Sequence, residues 1–364
     1  MGETVINKYP IIWSIEQRNS PKWSYTYGLV SLAMIDLWKY TGEKKYMEYA
    51  RAYIDALVDE NGNIQRYRMS DYNLDAINSG KVLFTLYDIT GEAKYKTAMD
   101  TLREQLKGQP RTQIGGFWHK KRYPHQMWLD GLYMGGPFYA QYAREFNEPE
   151  SYDEIADWFI NMEKVARDTS TGLLYHAWDE SREQAWASKE TGQSPNFWGR
   201  GMGWYAMALV DMMDFFPADH PQYDSIVQII NRTAGAIIEY QDTAKGAWYQ
   251  VLDQGNREGN YLEGSVSTMF SYFLLKGIRK GYLDKNTYLN PAKKAFEGTV
   301  SNLVEVKSDS SLNITPVCAV AGLGGYPYRD GSYEYYIHEA QRDNDPKAVG
   351  PFIMAAIQYE LLTK

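Results

Sequence analysis

The sequence predicts an all-α protein folded as an (α/α)6 barrel, a ring of six helical hairpins. Two observations lead to this prediction. A helical hairpin recurs along the chain, and the first helix of each pair is apolar nearly all round, whereas the second is amphipathic. Helices that are apolar on every side lie inside a protein, and amphipathic helices lie at its surface. An inner ring of helices inside an outer ring follows, and no alternating strand pattern competes with it.

Two neighbouring segments nearly duplicate each other. Apolar helices over 29–40 and 82–89 each end at a Thr-Gly-Glu triplet, at 41–43 and 90–92. The Gly at this point can adopt the left-handed C-cap conformation, so each helix is predicted to stop there. Looser copies extend the repeat to the C-terminus. The predicted elements are 132–146 with 152–165, 204–216 with 223–240, 265–280 with 291–304, and a last helix over 351–362 partnered by 5–18. The chain, residues 1–364, is therefore predicted to be one domain.

Composition narrows the classes of function. The net charge of −8 argues against nonspecific binding to nucleic acid, which requires a basic surface. The single Cys318 excludes an internal disulfide and a cysteine-based zinc site, and its apolar neighbours predict a buried thiol. The five His lack metal-ligand spacing, so we expect neither a metal nor a cofactor.

The N-terminus has no signal-peptide pattern, and no apolar run reaches membrane-spanning length. We expect a cytoplasmic enzyme without a membrane or nucleic-acid partner, either a monomer or a weak homo-oligomer, although removal of an export signal would leave the same sequence. Most of the 31 Tyr and 11 Trp are expected to fill the core. The remainder suit surfaces that stack against sugar rings.

Unusual side chains collect where the inner helices begin. Parallel inner helices have their N-terminal ends on one face, so these side chains should converge at one end of one cavity. Polar groups that converge in an aromatic-lined concavity are the default prediction for a binding site. The candidates from these entry segments are Trp23, Tyr27, Asp75, His119, Trp128, Asp130, Trp198, Arg200 and Trp204.

Paired carboxylates are the usual equipment of glycoside hydrolysis. Asp130 and Asp75 form the best pair, because each opens the inner helix of a neighbouring hairpin, and Glu263 is a reserve candidate. Trp128 and Leu129 give Asp130 an apolar setting that can raise its pKa. Either Asp could instead be an ordinary helix-capping acid.

Basic side chains suit an acidic sugar. Arg200 and His176, with the run 120–122, could bind the carboxylate of a uronic acid. The run 120–122 is equally compatible with a solvated loop, since like charges repel into solvent. No Gly-x-Ser-x-Gly elbow or phosphate-binding loop offers another chemistry.

Three segments, 115–134, 197–207 and 329–336 with 347–350, resemble the unsaturated rhamnogalacturonyl hydrolases, glycoside hydrolase family 105. The resemblance spans most of the chain, and Gly199, where many relatives carry Ala, is a modest departure. It implies an (α/α)6 barrel acting on a 4,5-unsaturated galacturonyl residue linked to rhamnose.

The resemblance also implies roles for the candidates. Asp130 would protonate C4 of the enol ether and then activate the water that adds at C5, and Asp75 would hold sugar hydroxyls. His176 and Arg200 would contact the substrate. Trp198 and Trp204 would stack on it, and His119 and Trp128 would line the pocket wall.

Three alternatives stay open. An unsaturated glucuronyl hydrolase acting on glycosaminoglycan or ulvan fragments would differ only in loops that read the distal sugar. A non-catalytic oligosaccharide-binding barrel would have no use for the proton donors Asp130 and Asp75. A sugar epimerase on the same fold would require His pairs near helix ends, which the sequence does not clearly offer.

Overall fold

Thirteen α-helices dominate the computed structural model, which describes residues 1–364. In chain order they are α1 (Gly2–Lys8), α2 (Tyr25–Thr41), α3 (Lys44–Asp55), α4 (Gly80–Thr90), α5 (Ala93–Gly108), α6 (Leu129–Glu145), α7 (Ser151–Ala166), α8 (Gly199–Met212), α9 (Tyr223–Glu239), α10 (Gly264–Arg279), α11 (Lys285–Leu303), α12 (Tyr333–His338) and α13 (Pro346–Thr363).

Six of these helices close into an inner ring. Helices α2, α4, α6, α8, α10 and α13 each contact the next, and α13 returns to contact α2. Helices α3, α5, α7, α9 and α11 each pack against the inner helix that precedes them. The start of α1 lines a small apolar cavity together with Leu37 of α2 and Phe352 of α13. Helix α1 therefore lies beside these two helices. The prediction of an (α/α)6 barrel is confirmed.

Burial follows the predicted division between the two rings. All residues of α10 except its last are buried, as expected for a helix inside the ring. Helix α3 instead buries one stripe, formed by Tyr46, Tyr49, Ala50, Tyr53 and Ile54. The buried apolar side chains form one main core cluster that includes Cys318's neighbour Val317, and Cys318 itself is buried as predicted.

All six inner helices begin earlier than the sequence pattern predicts, and for two of them the difference concerns site residues. Helices α6 and α8 start at Leu129 and Gly199 rather than at 132 and 204. Their first turns are rich in Gly, which lowers helix propensity, but tertiary packing overrides that preference. At Gly201, a Cβ atom would lie only 3.2 Å from the His176 ring, so the helix can pack this closely because Gly has no side chain. Asp130 and Arg200 therefore lie in first helical turns rather than in loops.

The second inner helix is arranged differently. Asp75 does not open α4; it lies in a separate 3-10 turn, Leu74–Ile77, before that helix begins at Gly80. Two short antiparallel ladders complete the structure, β1 (Gln126–Trp128) with β2 (Ala177–Asp179) and β3 (Val304–Val306) with β4 (Leu312–Ile314). None of the helices combines the length and apolar character needed to cross a bilayer.

Candidate active site

The first ladder brings the two central side chains together. Trp128 of β1 pairs with Ala177 of β2, and the next amide, Leu129 N, donates to the carbonyl oxygen of His176 at 3.1 Å. Asp130 follows in the first turn of α6. The backbone pairing therefore fixes Asp130 and His176 at the N-terminal end of the inner ring.

Asp130 and His176 are in direct contact. The His176 Nε2 atom lies 3.2 Å from Asp130 Oδ2, although the pair lacks the alignment of a hydrogen bond. The His176 side chain is fully buried, and its Nδ1 atom lies 2.8 Å from the Tyr336 hydroxyl. Trp198 packs on the same ring, with 4.6 Å between ring centroids. If the Tyr336 hydroxyl donates to Nδ1, the hydrogen of a neutral imidazole is on Nε2, the nitrogen that faces Asp130.

Two opposing effects set the pKa of Asp130. Burial raises this pKa, as its apolar flanks predict, but His176, followed by His119, lowers it below its ordinary value. The apolar setting of Asp130 is thus outweighed, because an imidazole beside the carboxylate favours the ionised form more than desolvation disfavours it. The sequence neighbours Trp128 and Leu129 gave no sign of this partner, which arrives from a segment 46 residues further along the chain.

Asp75 has two basic neighbours. Lys120 Nζ forms an ion pair with Asp75 Oδ2, and His119 Nε2 lies 3.4 Å from Asp75 Oδ1. Burial raises the pKa of Asp75, but Lys120 and His119 outweigh it and lower the pKa. Asn73 accepts a hydrogen bond from the Asp75 backbone N–H at 3.1 Å and so anchors the turn. Asp75 is thus held as a carboxylate, a hydrogen-bond acceptor.

An aromatic stack lies between the two acids. The rings of Tyr123, Trp128 and His119 lie nearly parallel, with 5.0 and 4.8 Å between successive centroids. Burial lowers the pKa of His119 to about 4, so its ring is neutral at pH 7. Through Gly131, His119 also packs against the turn that carries Asp130, since a Cβ at Gly131 would lie 3.1 Å from His119 Nδ1.

A cavity of about 550 Å³ opens beside Asp75. Trp23 and Tyr25 contribute its aromatic surface, and Lys120 lies in its wall. Asp130 does not line this cavity, and 14% of its side chain is exposed. The cavity has the size of a small-molecule binding pocket. No three His, Cys, Asp or Glu side chains are arranged to hold a metal ion.

Arg200 and Glu263 form a buried pair. Arg200 Nη2 lies 3.3 Å from Glu263 Oε1 and also donates to the Cys318 carbonyl, while Nε donates to Ser265 Oγ at 2.7 Å. Glu263 caps α10 by accepting from Val266 N at 2.8 Å. These contacts hold Glu263 within the fold, away from the cavity. One Arg200 nitrogen, Nη1, is buried without a partner.

The remaining aromatic candidates are more buried than expected. Trp204 stacks on Tyr133, with 4.8 Å between centroids, and Tyr27 packs edge-on against Tyr53. Trp198, Trp204 and Tyr27 are at most 1% exposed, and none of them lines the cavity. Their roles as sugar-stacking residues stay predictions.

Sequence reasoning did not single out two residues that the structure brings to the site. Tyr25 lines the cavity, and burial together with nearby Asp75 raises its pKa well above the ordinary value. Tyr336 contacts His176 from a segment 160 residues away. Tyr25 lies where the first inner helix begins, and Tyr336 lies in the segment 329–336 that carries the family resemblance. The sequence alone could not show that Tyr336 contacts His176.

The double ring of helices, with carboxylates, histidines and aromatic rings at one end, places the chain in the six-hairpin class of folds. The comparison with known families agrees: residues 1–363 match Glycosyl Hydrolase Family 88, and the chain belongs to that family. The resemblance found in the sequence, to the unsaturated rhamnogalacturonyl hydrolases, is thereby confirmed.

Individual relatives support the same assignment. A family 105 glycoside hydrolase of C. acetobutylicum ATCC 824 is 43% identical, with 99% of each chain covered and a TM-score of 0.95. The 24.9 kDa protein in the picA locus of Rhizobium radiobacter is 36% identical over 236 residues, 64% of this chain and 100% of that protein. The unsaturated rhamnogalacturonyl hydrolase YesR of Bacillus subtilis (strain 168) is 24% identical over 251 residues, 67% of this chain and 68% of that protein.

Proposed function

We propose that this glycoside hydrolase acts on 4,5-unsaturated galacturonyl-rhamnose oligosaccharides, the products of lyase-degraded rhamnogalacturonan. The observation that carries the proposal is the contact between Asp130 and buried His176 beside an aromatic and basic cavity. Similarity to YesR, whose name specifies unsaturated rhamnogalacturonyl substrates, supports the choice of sugar.

In the proposed reaction, Asp130 acts first as an acid. Its proton bonds to C4 with the electrons of the C4–C5 double bond, and the cation left at C5 is stabilised by the ring oxygen. The Asp130 carboxylate then removes a proton from water as the water oxygen bonds to C5. The resulting hemiketal opens to a C5 ketone, and the hemiacetal at C1 releases the rhamnose hydroxyl. One carboxyl group thus serves as acid and then as base.

Neighbouring groups have distinct proposed roles. Asp75, ionised and held by Lys120, accepts hydrogen bonds from sugar hydroxyls. His176 positions Asp130 and shares its charge. The substrate carboxylate, once bound nearby, raises the pKa of Asp130, because a second negative charge disfavours ionisation. Substrate binding therefore prepares Asp130 to donate a proton.

The test is a panel of lyase-generated disaccharides that carry either rhamnose or a glucosamine, both without sulfate, next to the unsaturated uronyl residue. We expect loss of the enoate ultraviolet absorbance to be fastest with the galacturonyl-rhamnose disaccharide. Faster turnover of the disaccharide that carries glucosamine would instead identify the protein as an unsaturated glucuronyl hydrolase. Binding without turnover, measured by calorimetry, would favour a binding protein.

An isotope experiment tests the chemistry separately from the choice of sugar. When the reaction runs in deuterated water, C4 of the product should acquire deuterium. A product that lacks deuterium at C4 would refute protonation at that carbon.

A further inference from the structure

The cavity beside Asp75 carries an excess of positive charge. Its wall contains five basic and two acidic side chains, a surplus of three positive charges. The chain as a whole has a net charge of −8. The surplus is therefore a local feature that opposes the charge of the rest of the protein.

The two acids of the cavity already have partners. Arg68 pairs with Asp71 at 3.1 Å, and Lys120 pairs with Asp75. The other three basic residues, Lys22, Lys121 and Arg122, have no carboxylate within 4.0 Å and donate no side-chain hydrogen bond within the chain. All three are exposed. Lys121 and Arg122 lie over the rings of Tyr72 and Tyr123, at 5.6 and 4.9 Å from the ring centroids, so no carboxylate of the chain neutralises any of the three cations.

These three residues come from two separate segments. Lys22 precedes α2, next to the cavity residues Trp23 and Tyr25, whereas Lys121 and Arg122 follow the Asp75 partner Lys120. Lys121 is held in place by the main chain, since its N–H donates to the Tyr72 carbonyl oxygen at 3.2 Å. Positively charged side chains from two segments thus converge beside aromatic side chains, as polar groups do in ligand-binding pockets. Such a surface suits an anionic sugar residue.

The acidic group of the reacting sugar does not account for this charge. In the proposed reaction that sugar lies against Asp130, which is outside the cavity wall, whereas Lys22, Lys121 and Arg122 lie on the side of Asp75. The cavity of about 550 Å³ has room for more than one sugar ring, and these three residues line it.

We propose that Lys22, Lys121 and Arg122 form a second anion subsite, which binds a carboxylate or sulfate carried by a sugar beyond the cleaved bond. The inference rests on the proposed function for the position of the reacting ring. Preferred substrates are then oligosaccharides with at least two acidic groups, and a disaccharide with a neutral second sugar uses only part of the cavity.

The substrate test compares matched pairs. One pair is an unsaturated tetrasaccharide with an internal uronate and the same tetrasaccharide with that carboxylate reduced to an alcohol. The other is an unsaturated disaccharide with and without a sulfate ester on its second sugar. We expect kcat/KM to be roughly tenfold higher for the charged member of the pair that fits, since each exposed ion pair contributes modestly. The pair with the larger ratio identifies carboxylate or sulfate as the ligand.

Salt gives an independent readout. The charged preference should shrink as NaCl rises from roughly 50 mM to roughly 500 mM, because salt screens exposed charges. Equal kcat/KM within both pairs at low salt would overturn the subsite. It would leave the proposed function standing, because that function requires only turnover of the disaccharide whose second sugar carries no charge.

The triple variant K22Q/K121Q/R122Q tests the residues. It should abolish the charged preference, so that the two members of each pair have equal kcat/KM. The matched control K8Q/K44Q/K285Q removes the same charge from three exposed lysines outside the cavity, and it should keep the preference. A cavity variant that retains the preference, or a control that loses it equally, would overturn the assignment.

Discussion

His176 Nε2 lies 3.2 Å from Asp130 Oδ2, and no water-exposed surface remains on the His176 side chain. The pair joins the first turn of α6 to the segment before α8. A fully buried imidazole this close to a carboxylate influences whether that carboxylate is protonated. The acid and base steps proposed for Asp130 therefore depend on this ring.

Replacing Asp130 with Asn tests the proton donor. Asn keeps the shape of the side chain but cannot donate and recover a proton, so kcat should fall at least about 10²-fold. Thermal unfolding and circular dichroism should match the wild type. The control Asp224→Asn changes another first-turn acid, in α9 and exposed, and should retain full activity. A fully active Asp130→Asn enzyme would refute the assignment.

Replacing His176 with Asn tests its influence on Asp130. Burial raises the pKa of Asp130 and His176 lowers it, so the pKa should rise when the ring is removed. If the acid form of Asp130 is the active form, the alkaline limb of the kcat/KM profile should move to higher pH. Tyr336→Phe retains the ring and should shift the limb less. A shift to lower pH would contradict the proposed direction.

The fold was more predictable than the site because helical periodicity is local, whereas contacts are not. The Thr-Gly stops at 41–42 and 90–91 and the apolar inner helices suffice to predict the double ring. The pKa of Asp130 could not be predicted, since the direction of its shift depends on His176, which no local pattern places nearby. Arg200 shows the same limit, because the sequence could not indicate that Glu263, Ser265 and the Cys318 carbonyl together bind two of its three guanidinium nitrogens.

Replacing Glu263 with Gln separates a structural role from a catalytic one. Both side chains of the Arg200–Glu263 pair are at most 1% exposed, so loss of one charge leaves the other buried without compensation. The free energy of unfolding, measured by chemical denaturation, should fall by about 3–5 kcal/mol. Glu334→Gln breaks an exposed pair with Arg257 and should cost less than about 1 kcal/mol. Unchanged stability with lost activity would instead make Glu263 catalytic.

His119 should make the fold sensitive to acid. Burial lowers its pKa from 6.5 to about 4, so between these values the unfolded chain binds a proton that the folded chain does not. The contribution of neutral His119 is complete above pH 6.5 and is lost as pH falls toward 4, by up to roughly 3 kcal/mol.

The variant His119→Gln removes this titration. Its free energy of unfolding should therefore decline less than that of the wild type between pH 7 and pH 4, as measured by denaturant titration at each pH. His338→Gln is the matched control, because His338 is 74% exposed and packs against no part of the core. It should decline as the wild type does. Equal slopes for His119→Gln and the wild type would show that the acid sensitivity arises from another group.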